Sequence, residues 1–181
     1  MLSLTLPETE YYDESKNEFV TLSKQTVSLE HSLISVSKWE SKWKKPFLTD
    51  EPKTYEELLD YISCMSVGSF DKRVLPLLAA NHMDEISEYI NDSMTATWFS
   101  DRASKKPVNK KQVVTSEVIY YDMIALQIPF ECQKWHLNRL LTLIRVCQEK
   151  NTPTKKMSKR DLANRNRALN AARRAQHNTS G

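Results

Sequence analysis

Cysteine and histidine are the first candidates for chemistry, since Cys132 and His136 stand four residues apart on a predicted helix. That spacing places two metal ligands on one helix face, and His31, His82 and Cys147 could join them. Structural zinc needs four ligands, usually in close pairs such as Cys-x-x-Cys, and the chain contains no such pair. A buried thiol beside an amphipathic histidine explains the spacing better, and we expect no metal and no other cofactor.

The remaining polar residues do not form a pattern that predicts a catalytic site. No electropositive loop or helix start surrounds Cys64 or Cys147 in sequence, so neither thiol is expected to be activated. Acidic pairs such as Asp50-Glu51 are typical of loops and first helical turns, where negative charge offsets the helix dipole. Glycine occurs only at Gly68 and Gly181, which excludes a P-loop, a dinucleotide fingerprint and a Gly-x-Ser-x-Gly elbow. We therefore expect a binding protein and not an enzyme.

Tryptophan offers a different chemistry, because indoles occupy either cores or the anchor positions of interfaces. The four are Trp39, Trp43, Trp98 and Trp135. Lysines flank Trp39 and Trp43 on both sides, so at least one edge of this pair should be wet. This pattern favours a surface groove over a closed core, and all four tryptophans are candidate partner-binding residues.

Charge is divided unevenly along the chain. Residues 151–181 contain eight Lys and Arg side chains against one Asp, which gives +7. The first 150 residues contain 18 basic and 22 acidic side chains, which gives −4. A mildly acidic body thus carries a strongly basic tail, and the asymmetry marks the tail as a binding element.

The tail allows three interpretations: it binds nucleic acid, it binds protein, or it only solubilises the chain. An Arg-rich helix binds phosphates, but the tail has no aromatic residue for base stacking and no helix-turn-helix context. Leu162 and Leu169 are seven residues apart, the spacing of two anchors in a helix-in-groove contact. Arg165, Arg173 and Arg174 would then meet acidic groups at the rim. We expect a protein partner, with nucleic acid as the weaker alternative.

The elements that carry these residues follow from hydrophobic spacing. Residues 1–31 alternate apolar and polar side chains, which predicts two or three antiparallel strands with a long loop between Tyr12 and Phe19. Helices are predicted at Ser32–Lys44, from the Thr54-Tyr-Glu-Glu57 capping box to Gly68, from a cap at Asn81 to Asp92, at Glu117–Leu126, at Glu131–Glu149 and from Ser158 onward.

These elements predict a mainly α (α+β) fold. The helix Glu117–Leu126, which is apolar on nearly every side, is expected to be the central core helix and to form a hairpin with Glu131–Glu149 around Pro129. A mainly helical body, 1–152, carries the β unit, and 153–181 form a basic linker and a C-terminal helix. That helix has too narrow an apolar stripe to pack firmly on its own domain.

Location is predicted from what the sequence does not contain. The start has no basic segment followed by an apolar one, and no stretch approaches the roughly 18 apolar residues of a membrane span. Three unpaired cysteines indicate free thiols in a reducing compartment. We expect a soluble cytoplasmic protein with no membrane partner.

Several strings resemble the tail assembly chaperones of long-tailed bacteriophages, and together they span most of the chain. They are Ser37-Lys-Trp-Glu-Ser-Lys-Trp43 with Pro46-Phe47, Met94-Thr-Ala-Thr-Trp-Phe99, Ile128-Pro-Phe-Glu-Cys-Gln-Lys-Trp-His-Leu-Asn-Arg-Leu-Leu-Thr-Leu-Ile144, Lys155-Lys-Met-Ser-Lys-Arg-Asp161 and Asn164-Arg-Asn-Arg-Ala-Leu-Asn-Ala-Ala-Arg-Arg174.

The resemblance implies a protein of the host cell cytoplasm that coats the long helical tape measure protein and keeps it soluble while tail subunits polymerise. It carries no active-site residues to transfer. Other copies of the chain, or a longer form made by ribosomal frameshifting, are further implied partners. Two alternatives come from other classes: a virion structural protein, such as a head–tail connector or tail component, and a nucleic-acid-binding accessory protein.

Overall fold

The computed structural model describes residues 1–14, 17–99, 113–151 and 158–177, with the side chain of Asp161 outside the described part. The chain divides into two compact units, Met1–Gln148 and Glu149–Gly181. The linker predicted after 152 falls on residues 152–157, which lie outside the described ranges. Helices dominate the described chain and are accompanied by two small antiparallel sheets, so the mainly α (α+β) class is confirmed.

The N-terminal β unit is larger than predicted. Its strands are β1 Leu2–Leu6, β2 Thr9–Asp13, β3 Glu18–Leu22 and β4 Gln25–Leu29. β1 pairs with β4, and β2 pairs with β3 as a hairpin in which Tyr12 faces Phe19. The pairing extends to Asp13 and Glu18, and the connection between them is longer than a two-residue turn, as expected for a hairpin without glycine. A short strand, β5 Ser66–Val67, extends the first sheet beside β4.

The first two helices begin where the sequence predicts them. α1 Leu33–Trp43 starts after Ser32 and ends at Lys44 in the left-handed conformation, while α2 Tyr55–Met65 starts after a complete Thr54–Glu57 capping box. The predicted end of α2 at Gly68 is wrong. Residues 66–67 leave the helix early because their backbone pairs with β4.

A 3₁₀ helix, Lys72–Leu77, leads into α3 Ala80–Asn91. The predicted cap at Asn81 is wrong, since Asn81 lies inside the helix and Ala79 takes the cap position without a side-chain hydrogen bond. The carbonyl of Ala79 accepts the first helical N–H groups, from His82 and Met83. The predicted end at Asp92 is confirmed.

Two predictions about the last helices of the body are wrong. α4 Ser116–Ala125 is not central, because it packs mainly against α1 and not in a hairpin with the following helix. The helix predicted from Glu131 is interrupted: Phe130–Lys134 is a 3₁₀ helix, and α5 Leu137–Asn151 starts later. The break is held by a bridge between Ser32 and His136 and by the Leu137 N–H, which donates to the His31 carbonyl at 2.7 Å.

The core of the first unit lies where the β1–β4 sheet, α1 and α2 meet. Leu29, Leu33, Tyr61 and Leu140 are fully buried in this core.

In the second unit, α6 Lys159–His177 has the predicted length of about five turns, and every described side chain along it is exposed. No helix within the described ranges is both long and apolar enough to cross a lipid bilayer.

Candidate partner-binding surfaces

The predicted groove around Trp39 and Trp43 is mostly closed. Trp39 is only 1% exposed, and its indole N–H donates to the Glu57 carbonyl at 2.9 Å. Trp39 is therefore a core residue, and its prediction as a partner-binding residue is wrong, because α2 covers it. Trp43 is half-buried, stacks on Trp39 with ring centroids 6.1 Å apart, and donates to Asp60 Oδ2 at 2.9 Å.

Two of the lysines beside this pair, Lys42 and Lys45, form contacts within the protein. Lys45 Nζ lies 6.0 Å from the Trp43 ring centroid and 2.6 Å from Glu57 Oε1. The hydrogen bond from Lys45, followed by that from the Thr54 backbone N–H, lowers the pKa of Glu57. Lys42 forms an ion pair with Asp60. Trp43 is therefore only partly available to a partner.

Trp98 and Trp135 have opposite environments. Trp98 is 81% exposed and is the most accessible large apolar side chain in the described part of the protein. Trp135 is half-buried, and the guanidinium carbon of Arg139 lies 4.3 Å from its ring centroid. Of the four predicted tryptophans, the structure leaves Trp98 fully available and brings only Trp39 and Trp43 together.

The β2–β3 hairpin presents a second aromatic site. Phe19 is 70% exposed, and its ring centroid lies 5.1 Å from that of its cross-strand neighbour Tyr12. Burying such a pair against a partner would remove a large apolar area from water. The sequence placed this pair beside a turn but did not indicate that both rings face outward.

An exposed apolar face on α4 was missed by the sequence reasoning. Ser116, Ile119 and Met123 form the buried side of the helix, and the opposite side presents Tyr121 at 68% and Ile124 at 61% exposure. Val113 and Val114, which precede the helix, and Phe130, which follows it, are also exposed. We call these five residues the α4 face. A short helix that is apolar all round must either lie in the core or show one apolar side to solvent, and the ambiguous pattern was the available signal.

Acidic residues border the α4 face. Glu117 and Glu131 are exposed and Asp122 is half-buried, and residues 113–133 contain no Lys, Arg or His. The backbone N–H of Glu117 itself, then the Thr115 side chain, lowers the pKa of Glu117 by hydrogen bonding to its carboxylate. The charged side chains on α4 and at the start of the following 3₁₀ helix, Glu117, Asp122 and Glu131, are therefore all acidic, and Lys134 ends that 3₁₀ helix.

The second unit presents the predicted tail residues. Leu162 and Leu169 are 49% and 46% exposed, and Arg165, Arg173 and Arg174 lie on the same helix. Six Lys and Arg side chains stand against a single acid between residues 159 and 177. The helix thus combines two exposed apolar anchors with a basic surface.

Cys132 and two histidines, His31 and His136, are buried in the first unit. Cys132 and His136 do not share a helix, and His136 Nε2 donates to the Tyr89 carbonyl at 2.9 Å. His31 lies beside His136, with ring centroids 5.0 Å apart, and bonds to Tyr61. In the described part of the chain, no three His, Cys, Asp or Glu side chains are placed to hold a metal ion. Burial raises the pKa of the Cys64 thiol, which disfavours the reactive thiolate.

Comparison with protein-family models, curated proteins and solved structures finds no match to this chain.

Proposed function

We propose that this protein is a tail assembly chaperone that binds the tape measure protein of a long-tailed bacteriophage and keeps it soluble in the host cytoplasm. The sequence strings described above suggest the family. The observation that carries the binding function is the exposure of large aromatic side chains at separate sites on the folded body, Trp98 and the Tyr12–Phe19 pair.

Such sites suit a protein that holds a long amphipathic chain. Single exposed apolar residues are ordinary, but Trp98 at 81% and Phe19 at 70% present unusually large areas. Each of these side chains would make a small contact with an apolar segment of the partner chain. Because both sites belong to one chain, binding at one raises the effective concentration of the other along a long partner, without a deep pocket.

Co-expression tests this function directly. The tape measure protein of the same phage should be insoluble alone and should become soluble and co-purify when the two are produced together. A Trp98→Ala/Phe19→Ala double variant should reduce the soluble yield of the long partner, whereas Tyr55→Ala should not, since Tyr55 is a comparably exposed aromatic (59%) at the start of α2.

Three results would count against the proposal. A tape measure protein that stays insoluble regardless of this chain would remove the chaperone function. Recovery of the chain at fixed stoichiometry from purified virions would favour a structural tail or connector protein. Retention of DNA or RNA that is lost as salt increases would favour the nucleic-acid alternative.

A further inference from the structure

The α4 face and the helix α6 have complementary properties. The α4 face is apolar, with Tyr121 and Ile124 at its centre and acidic residues at its rim. α6 presents two leucines on a basic helix. An apolar strip with a negative border fits an apolar strip with a positive border, because the same contact buries both strips and pairs their charges.

The dimensions also agree. α4 has ten residues and is about 15 Å long at 1.5 Å per residue. Leu162 and Leu169 are separated by seven residues, or about 10.5 Å along the helix. Both leucines can therefore contact one α4 face. Alanines at 168 and 172 flank Leu169 with small side chains, which allows the two helices to approach closely.

We propose that α6 of one copy of this chain binds the α4 face of a second copy. Because the two surfaces differ, the contact is heterologous, and each bound copy still offers one unused surface to the next. Repetition builds a ring or an open row of copies. The inference does not depend on the tape measure function, since it concerns only this chain.

The first measurement is the mass of the full-length protein in solution as a function of concentration and salt. Wild-type protein should associate with increasing concentration at low salt. The association should weaken as salt rises, because the rim charges are exposed and therefore screened. Protein that is monomeric at every concentration and at low salt would overturn the inference.

The second measurement uses two complementary variants. Tyr121→Asp/Ile124→Asp removes the α4 face and keeps α6, while Leu162→Asp/Leu169→Asp removes the α6 anchors and keeps the face. Each variant alone should self-associate roughly tenfold more weakly than wild type or worse, as expected when central anchors are lost. Tyr55→Asp, an exposed aromatic outside both surfaces, serves as the matched control and should associate normally.

Mixing the two variants gives the decisive result. The intact α6 of the first variant can bind the intact α4 face of the second, so a 1:1 heterodimer should form at concentrations where each variant alone is monomeric. A mixture that stays monomeric at those concentrations, or an α4-face variant that self-associates as strongly as wild type, would overturn the inference. All substituted positions are exposed, and unchanged circular dichroism and thermal unfolding of each variant confirm that the loss is not unfolding.

Discussion

The carboxylate of Glu40 on α1 caps α4: its Oε2 accepts the backbone N–H of Ser116 at 2.8 Å, across 76 residues of sequence. The other oxygen, Oε1, accepts the Phe47 N–H at 2.7 Å. Glu40 is only 7% exposed, so both N–H groups would lack water if the carboxylate were removed. One buried side chain thus holds the start of α4 and the loop after α1 in their positions.

Replacing Glu40 by Ala should therefore destabilise the protein strongly. Two buried N–H groups lose their acceptor, and each unsatisfied group costs about 1–3 kcal/mol, so we expect a loss of about 3 kcal/mol in the free energy of unfolding. Urea unfolding measures this change. Glu88→Ala, at an exposed position in the middle of α3, is the matched control and should stay within about 0.5 kcal/mol of wild type. Equal stabilities of the two variants would contradict the capping role.

The buried His31 should make stability depend on pH. Burial, and then the nearby His136, lowers the pKa of His31 to about 3. In the unfolded chain its pKa is near 6.5, so between these values the unfolded state binds the extra proton. Stability should be complete above pH 6.5 and should fall as the pH decreases towards 3, by up to about 1.4 kcal/mol per pH unit.

The histidine contribution is best measured between about pH 5 and 6.5, where most carboxylates are still ionised. Urea unfolding at several pH values should give a sloped profile for wild type and for His177→Gln, since His177 is exposed on α6. His31→Gln should give a flatter profile at lower overall stability. An unchanged slope in His31→Gln would assign the pH dependence to another group.

The most buried and the most exposed of the four tryptophans should respond differently to replacement by Ala. Trp39→Ala removes a fully buried indole that packs against Phe47 and should cost about 3–5 kcal/mol of stability. Trp98→Ala removes a side chain that is 81% exposed and should change stability by less than about 0.5 kcal/mol. Thermal unfolding checks both values. A large loss in Trp98→Ala would show that Trp98 is packed in solution and not available to partners.

Deleting residues 154–181 should leave the first unit folded. Its buried cluster is made of residues from Leu4 to Ile144, all upstream of the deletion. The thermal midpoint should shift by only a few degrees, since about 1 kcal/mol corresponds to roughly 2–4 °C at this size. Differential scanning calorimetry measures the midpoint. Loss of a cooperative transition would mean that the tail takes part in the core.

Several features of this protein were predictable from the sequence because a few neighbouring residues determine them. The Thr54–Glu57 capping box starts α2 through hydrogen bonds between residues three apart. The long loop before Phe19 follows from the absence of glycine in the hairpin. The exposed leucines of α6 follow from a stripe that is too narrow to bury. The predicted partner, the tape measure protein, stays a prediction.

Other features were decided only by the tertiary structure, because they depend on contacts between distant residues. Trp39 and Trp43 have nearly the same sequence surroundings, yet α2 buries the first and leaves an edge of the second accessible. The sequence predicts His136 inside one long helix, but in the structure its bridge with Ser32 interrupts that helix. α4 is apolar on nearly every side, so hydrophobic spacing could not indicate which side would be buried. The contact with α1 and the cap from Glu40 orient α4 in the fold, and this orientation leaves Tyr121 and Ile124 facing solvent.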